Sequence, residues 1–319
     1  MPTADQIRSL IKSHFTDESE RFFTLALQIA AHEAGIGHGA LAHDIRNIVD
    51  KAKSQKQSIV FQIPKDMQGL VLIEKPETSK ASLVLPSSMN DRIDRILHEY
   101  RQRHKLKAHG LIHRRKILLI GPPGTGKTMT ARVLAHELRQ PMYTIQVDRL
   151  VTKFMGETSA KLRQIFDLMQ REMGVYLFDE FDAIGGERSL DNDVGEMRRV
   201  LNAFLQFIEQ DTSDSLVIAA TNTPKLLDRA LFRRFDDVLY YSNPESAERK
   251  RLIQNVMAGF QSAKFSWKSV IQDSDGLSQS EIDHACRDAI KQVILDNKLK
   301  VSSNSLRKML KERQSAYTK

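Results

Sequence analysis

The feature that most constrains this chain is an apolar run, Lys116-Ile117-Leu118-Leu119-Ile120, that leads directly into Gly121-Pro122-Pro123-Gly124-Thr125-Gly126-Lys127-Thr128. Such a run has the length of a buried strand, and the residues after the turn, 129–138, carry apolar side chains at helical spacing. Glycines, lysine and hydroxyl group stand at the spacing of a phosphate-binding P-loop. Glycine recurs there for a physical reason, since backbone N–H groups must wrap around an anion, which demands positive φ and leaves no room for a Cβ. The next helix aims the positive end of its dipole at the same point. Lys127 would bridge the β- and γ-phosphates of a nucleoside triphosphate and Thr128 would ligate Mg2+, with Pro122, Pro123, Gly124, Thr125, Gly126 and Met129 lining the cradle.

Four more short apolar runs follow, at 142–147, 174–178, 216–221 and 238–241. Helical patterns separate the first three of these from one another and from the P-loop strand. A parallel sheet covered on both faces, with right-handed crossovers, is therefore expected. Asp179 and Glu180 end the run at 174–178, and in an open α/β sheet the carboxyl ends of the strands line the ligand crevice. Asp179 is placed to share the Mg2+ shell with Thr128, and Glu180 to polarise an attacking water. Asn222 ends the next strand with an amide suited to hold that water or sense the γ-phosphate, although an asparagine there also makes an ordinary turn.

The rest of the chain falls into modules. Residues 1–57 read as three amphipathic helices, with stripes at Ile7, Leu10, Ile11 and Phe15, then Phe22 to Ala30, then Leu41, Ile45, Ile48 and Val49. His32-Glu33 superficially suggests a zinc-protease helix, but the second histidine of that motif would fall on Ile36. Residues 58–86 contain three short apolar runs bounded by Pro, Gly, Lys or Ser, which fit either a small β element or an extended connector. Residues 87–245 form the α/β part, and 246–319 read as an all-α domain.

Composition narrows the function class. A content of 41% hydrophobic and 28% charged residues is that of a folded domain, and the single cysteine, Cys286, excludes an internal disulfide or a cysteine zinc cluster. No apolar run is long enough for a membrane span and the start lacks a signal-peptide pattern, so a cytoplasmic enzyme is expected. The net charge of +8 concentrates in 101–116 and in the tail, where it would suit an anionic partner. Aromatic residues are not interleaved there, unlike in a single-strand stacking platform.

Four segments taken together, 121–128, 178–184, 220–222 and 227–236 with its Leu227-Asp228-Arg229-Ala230-Leu231-Phe232-Arg233-Arg234-Phe235-Asp236, resemble the AAA ATPases in order and spacing. The resemblance covers residues 87–290. It implies an α/β P-loop AAA+ module followed by a small helical lid, a ring that is usually a hexamer, and ATP with Mg2+ at each subunit interface. It also implies that Arg233 and Arg234 are arginine fingers that reach a neighbour's γ-phosphate. Lys153-Phe154-Met155-Gly156 resembles the pore loop that grips extended polypeptide, and Gly110, after His109, resembles the loop that meets the base. Gln279 and Ser280 depart from the small pair usual at the start of the lid helix, so no sensor arginine is assigned there. The resemblance implies a single-ring protein remodeller whose N-terminal helices recruit a substrate or adaptor, with a separate protease as a compatible partner. A nucleic-acid loader that uses the basic segments is the alternative from another class, and an ATP-gated scaffold is a third reading that the complete hydrolytic set argues against.

Overall fold

The computed structural model describes residues 8, 13, 19–57, 67–150, 157–181, 193–223, 232–262 and 264–315. It divides into two compact units, 1–62 and 63–319. In the first, α1 (Ser19–Gly35) and α2 (Gly39–Gln57) form a helical hairpin. Phe23, Ala26 and Val49 pack together there, with Phe22, Leu27 and Ile45 against them. The histidines make local contacts: His38 Nδ1 lies 2.6 Å from the carboxylate of Glu33, and His43 3.0 Å from the amide of Asn47. Most of the expected first helix lies outside the described residues.

The second unit is built on a six-stranded sheet of order β1-β3-β4-β5-β2-β6. Its strands are β1 (Val71–Glu74), β2 (Lys116–Ile120), β3 (Met142–Ile145), β4 (Val175–Phe178), β5 (Leu216–Thr221) and β6 (Asp237–Tyr240). The last five are mutually parallel, which explains why they read as continuous apolar runs: both faces are covered. β1 adds itself antiparallel along β3, Val71 opposite Ile145 and Glu74 opposite Met142. The connector at 58–86 thus contributes an edge strand to the main sheet. Four residues with a partner distant in sequence carry no local pairing signal, so strand and connector were equally compatible with the run.

One face of the sheet is covered by α3 (Ser87–Arg101), followed in the chain by the short α4 (Arg103–Ala108), and by α5 (Lys127–Glu137), which bury Ile93, Ile96, Ala131 and Leu134 against Ile117 and Leu119. The chain then passes through α6 (Val147–Leu150) to α7 (Glu157–Arg171) and α8 (Asp193–Gln210). Phe166 of α7 and Phe204 of α8 meet Phe178, with ring centroids 6.3 Å and 5.1 Å away. A second core joins α9 (Ser246–Val256), α10 (Trp267–Asp273), α11 (Gln279–Leu295) and α12 (Ser303–Ser315) around Ile253, Ile282, Ala289, Leu306 and Leu310. Cys286 is buried in it, and that burial pushes its thiol pKa up to about 12, so the thiol is inert.

The strap at 81–85 joins the two cores. Leu83 and Leu85 belong to the sheet-side core, while Val84 between them belongs to the helical one. Arg251 and Asn255 of α9 donate to the carbonyls of Leu85 and Ala81, at 3.0 and 3.4 Å.

Candidate nucleotide site

At the end of β2 the backbone turns over the carboxyl edge of the sheet. Gly124 and Gly126 take φ of +75° and +94°, the left-handed region that only glycine enters without strain, and Gly126 caps α5. Thr125 is buried, and its hydroxyl closes the loop by donating to the carbonyl of Pro122 at 2.7 Å. Lys127 is buried as well. Its Nζ donates to the carbonyls of Gly121 and Pro122 and to Oδ1 of Asn222, each at 2.8 Å. Asn222 reaches the lysine because β5 lies beside β2, with Thr221 opposite Ile120.

β4 delivers the carboxylates. Asp179 Oδ2 accepts from the Thr128 hydroxyl at 2.6 Å, and Asp179 Oδ1 accepts from the N–H of Glu180 at 3.0 Å. Glu180 is exposed and has φ +51°, which for a residue with a Cβ costs about 1–2 kcal/mol. Its neighbours hold it there: Phe178 and Phe181 are fully buried, both rings pack on Phe204, and Phe181 N–H donates to the carbonyl of Ala220 at 2.8 Å. A hydroxyl and a carboxylate at hydrogen-bond distance are hard oxygen donors that suit Mg2+, and a loop of positive-φ glycines beside a buried ammonium suits a polyphosphate. The residues present therefore fit Mg·ATP.

The helical domain touches this loop. Ser278 and Glu281 form a capping box at the start of α11, and the N–H of Ser280 donates to the carbonyl of Gly124 at 3.0 Å. A Cβ on Gly124 would lie 2.7 Å from Ser278 Oγ and 3.1 Å from Ser280 Cβ. Gln279, between them, has a buried side-chain oxygen without a hydrogen-bond partner among the described residues.

Two groups of expected residues lie elsewhere. Gly110 is exposed at the end of α4 and precedes the amino end of β2, so the sheet separates it from the P-loop. What reaches the loop from upstream is the strap, where Leu83 Cδ1 lies 4.0 Å from the Cβ position of Gly126. The legible signal was Leu83-Val84-Leu85-Pro86, an apolar run without helical or alternating period. Arg233 and Arg234 precede the amino end of β6, whose Asp237 and Tyr240 lie opposite Ile117 and Ile120 of β2. The arginines are therefore at the edge of the sheet opposite the P-loop. Arg234 pairs with Glu209 of α8, whereas Arg233 is exposed and has no partner among the described residues. Asp236 Oδ2 accepts from the N–H groups of Arg115 and Lys116, both at 2.9 Å, and ties this turn to the start of β2. Residues 153–156 lie outside the described residues.

Part of the charge in the basic segments is paired within the chain. Arg101 pairs with Glu137, Lys107 with Asp214, Arg114 with Glu99 and Arg115 with Asp211. In the tail, Arg307 pairs with Asp273 and Arg313 with Asp288.

Comparison with known proteins bears on the same residues. Residues 117–243 match the ATPase family associated with various cellular activities (AAA). The chain is 31% identical to an uncharacterized AAA family ATPase of Sinorhizobium fredii, over 98% of this chain and 96% of that protein. It is 30% identical to a putative 26S proteasome regulatory subunit homolog of Methanothermobacter marburgensis, over 62% of this chain and 55% of that one. To fidgetin-like protein 1 of Rattus norvegicus it is 33% identical, over 54% of this chain and 26% of the relative. Those last two matches span about half and a quarter of the relatives' lengths.

Proposed function

We propose, from the premise that this chain belongs to the AAA family of ATPases, that it forms a ring that hydrolyses Mg·ATP between subunits and uses the cycle to remodel protein substrates. One observation carries the reading. Lys127, Thr128, Asp179, Glu180 and Asn222 gather at one edge of the sheet, while Arg233 stands exposed at the opposite edge, without a partner among the described residues. A guanidinium in that position serves another subunit's nucleotide, because β6 and the turn before it separate Arg233 from its own P-loop.

Bound Mg·ATP supplies the reactive phosphoanhydride and the metal's charge. The protein supplies position and electrostatics. Lys127 turns its ammonium from the carbonyls of Gly121 and Pro122 toward the phosphates, which releases Asn222 and couples strand β5 to the occupancy of the site. Thr128 and Asp179 would hold the Mg2+ shell. Glu180 accepts a proton from the attacking water. Arg233 of the neighbour neutralises charge that spreads over the γ-phosphoryl oxygens, an effect worth about 10³- to 10⁵-fold in rate. Arg234, anchored by Glu209, fixes the turn from which Arg233 projects.

The hairpin of α1 and α2 recruits a substrate or adaptor, residues 58–86 link it to the ATPase lobe at 87–245, and 246–319 act as the lid. Phe154 engages extended polypeptide. The internal ion pairs of the basic segments support a protein substrate over a nucleic acid. The test is the ATPase rate of wild type and Phe154→Ala, alone, with a permanently unfolded polypeptide and with DNA. Stimulation by polypeptide that is lost in Phe154→Ala is expected. Stimulation by DNA that survives the substitution would overturn the remodelling reading.

A further inference from the structure

Both ends of the P-loop rest on one residue outside it. Tyr241 directly follows β6, is buried, and donates its N–H to the carbonyl of Ile120 at 2.6 Å. Its main chain lies against the first residue of the loop. A Cβ on Gly121 would stand 2.6 Å from Tyr241 Cβ and 2.9 Å from its carbonyl carbon, so only glycine fits there. Its side chain reaches the other end of the loop. The Tyr241 hydroxyl donates to Oγ1 of the buried Thr130 at 2.7 Å, and the Thr130 hydroxyl donates to the carbonyl of Gly126 at 3.0 Å.

That carbonyl matters because of the peptide unit it belongs to. Gly126 caps α5, and its carbonyl also accepts the N–H of Thr130 at 2.9 Å. No peptide bond among the described residues is cis. In a planar trans unit the carbonyl and the following N–H point in opposite directions. A Gly126 carbonyl held along the helix therefore turns the N–H of Lys127 out of the helix end, where an anion is favoured. Glycine at positive φ has no side chain to steady that plane, so the restraint comes from its neighbours. Hydrogen bonds in series polarise one another, which favours the two hydroxyls together over either alone. Burial pushes the Tyr241 phenol above its ordinary value of 10, so it stays protonated and remains a donor.

We propose that Tyr241 is a positioning residue for nucleotide binding: through Thr130 it fixes the peptide that joins Gly126 to Lys127, and so sets how tightly the loop holds a polyphosphate. The proposal rests on the Mg·ATP reading of the site. Tyr241 serves as a reference point because the chain is fixed on both sides of it. β6 pairs with β2 as far as Tyr240 opposite Ile120, and two residues after Tyr241 the amide of Asn243 donates to the carbonyl of Gly276 at 2.9 Å. Phenylalanine would fill the same space. What the hydroxyl adds is the chain of hydrogen bonds to Gly126.

The experiment uses the full chain in the Glu180→Gln background, which is expected to retain ATP. Dissociation constants for Mg·ATP and Mg·ADP are measured by titration calorimetry, and melting of the nucleotide-free protein shows that each variant is folded. Tyr241→Phe and Thr130→Val should each weaken both nucleotides by about three- to tenfold, and competition by inorganic pyrophosphate should weaken in parallel. The double variant should bind within about twofold of Thr130→Val, because both substitutions break one chain. Thr130→Ser keeps the hydroxyl and should bind within about twofold of the parent, a rescue that a packing role alone does not require. Three results overturn the positioning role while the site reading stands: Tyr241→Phe binding Mg·ATP as the parent does, losses that multiply in the double variant, or Thr130→Ser losing as much as Thr130→Val. If the parent itself binds no Mg·ATP, the nucleotide reading falls and takes this role with it.

Discussion

Gly124→Ala probes the contact between lid and P-loop most sharply. Holding an alanine at φ +75° costs about 1–2 kcal/mol. The new Cβ would stand 2.7 Å from Ser278 Oγ and 3.2 Å from Ser278 Cβ, so the cap of α11 has to move. Displacing that cap costs about 1 kcal/mol, and losing the Ser280 N–H to Gly124 carbonyl bond about 1 more. The expected total is about 3–4 kcal/mol. Ser278→Gly supplies the control, because glycine is a tolerable cap that costs only a few tenths of a kcal/mol and removes two of the three crowding atoms. The double variant should then fall short of the sum of the single losses by about 1–2 kcal/mol. Urea unfolding of the nucleotide-free protein measures this through Trp267, the chain's one tryptophan, which lies against the lid core. Losses that add to within about 0.5 kcal/mol would refute the claim that lid and loop touch at Gly124.

Two further predictions concern buried charge. Arg115 and Asp211 form a buried pair in which Asp211 also accepts from Gln170 at 2.8 Å. Asp211→Ala strands the guanidinium and should cost about 3–5 kcal/mol, a fall in Tm on the order of 10 °C by calorimetry; a change under about 2 °C would contradict the pairing. His113 is buried beside Tyr100, with Arg103, Lys107, Arg115 and Asp214 around it, and burial lowers its pKa below the ordinary 6.5. The unfolded chain then binds the proton that the folded one refuses. Stability is fully present above pH 6.5 and falls as pH drops below it, by at most about 1.4 kcal/mol per pH unit for this group. Urea midpoints between pH 7.5 and 5.5 should fall less in His113→Phe than in wild type, and equal slopes would remove His113 from that role.

Much of the architecture was legible because its signals are local. A buried parallel strand needs a continuous apolar run, and a phosphate loop needs glycines at fixed offsets, so β2, α5 and the strand ends at Asp179 and Asn222 could be read from neighbouring residues. What escaped depends on partners distant in sequence. β1 is a strand only because Met142–Ile145 offers it an edge. The strap at 81–85 alternates between two cores, so neither helical nor strand periodicity describes it. Gly110 looked like a loop near the base, yet its place at the amino end of β2 puts it across the sheet from the P-loop. The twin arginines looked equivalent in sequence. Glu209, on another helix, separates them by engaging Arg234 and leaving Arg233 exposed. Likewise, the run of positive charge at 101–116 gives no sign in sequence of the acids, from Glu99 to Asp214, that pair with Arg101, Lys107, Arg114 and Arg115.

The central claim is that a site complete in Lys127, Thr128, Asp179, Glu180 and Asn222 still waits for an arginine from another subunit. ATPase activity of mixtures of Arg233→Ala and Glu180→Gln subunits tests it most directly. Each variant alone should be inactive while retaining nucleotide. At equal proportions, random mixing leaves about a quarter of the interfaces with both groups intact, and activity should reappear with that dependence on the ratio. Near-normal hydrolysis by Arg233→Ala alone, or mixtures that stay inactive although the subunits co-assemble, would contradict the account.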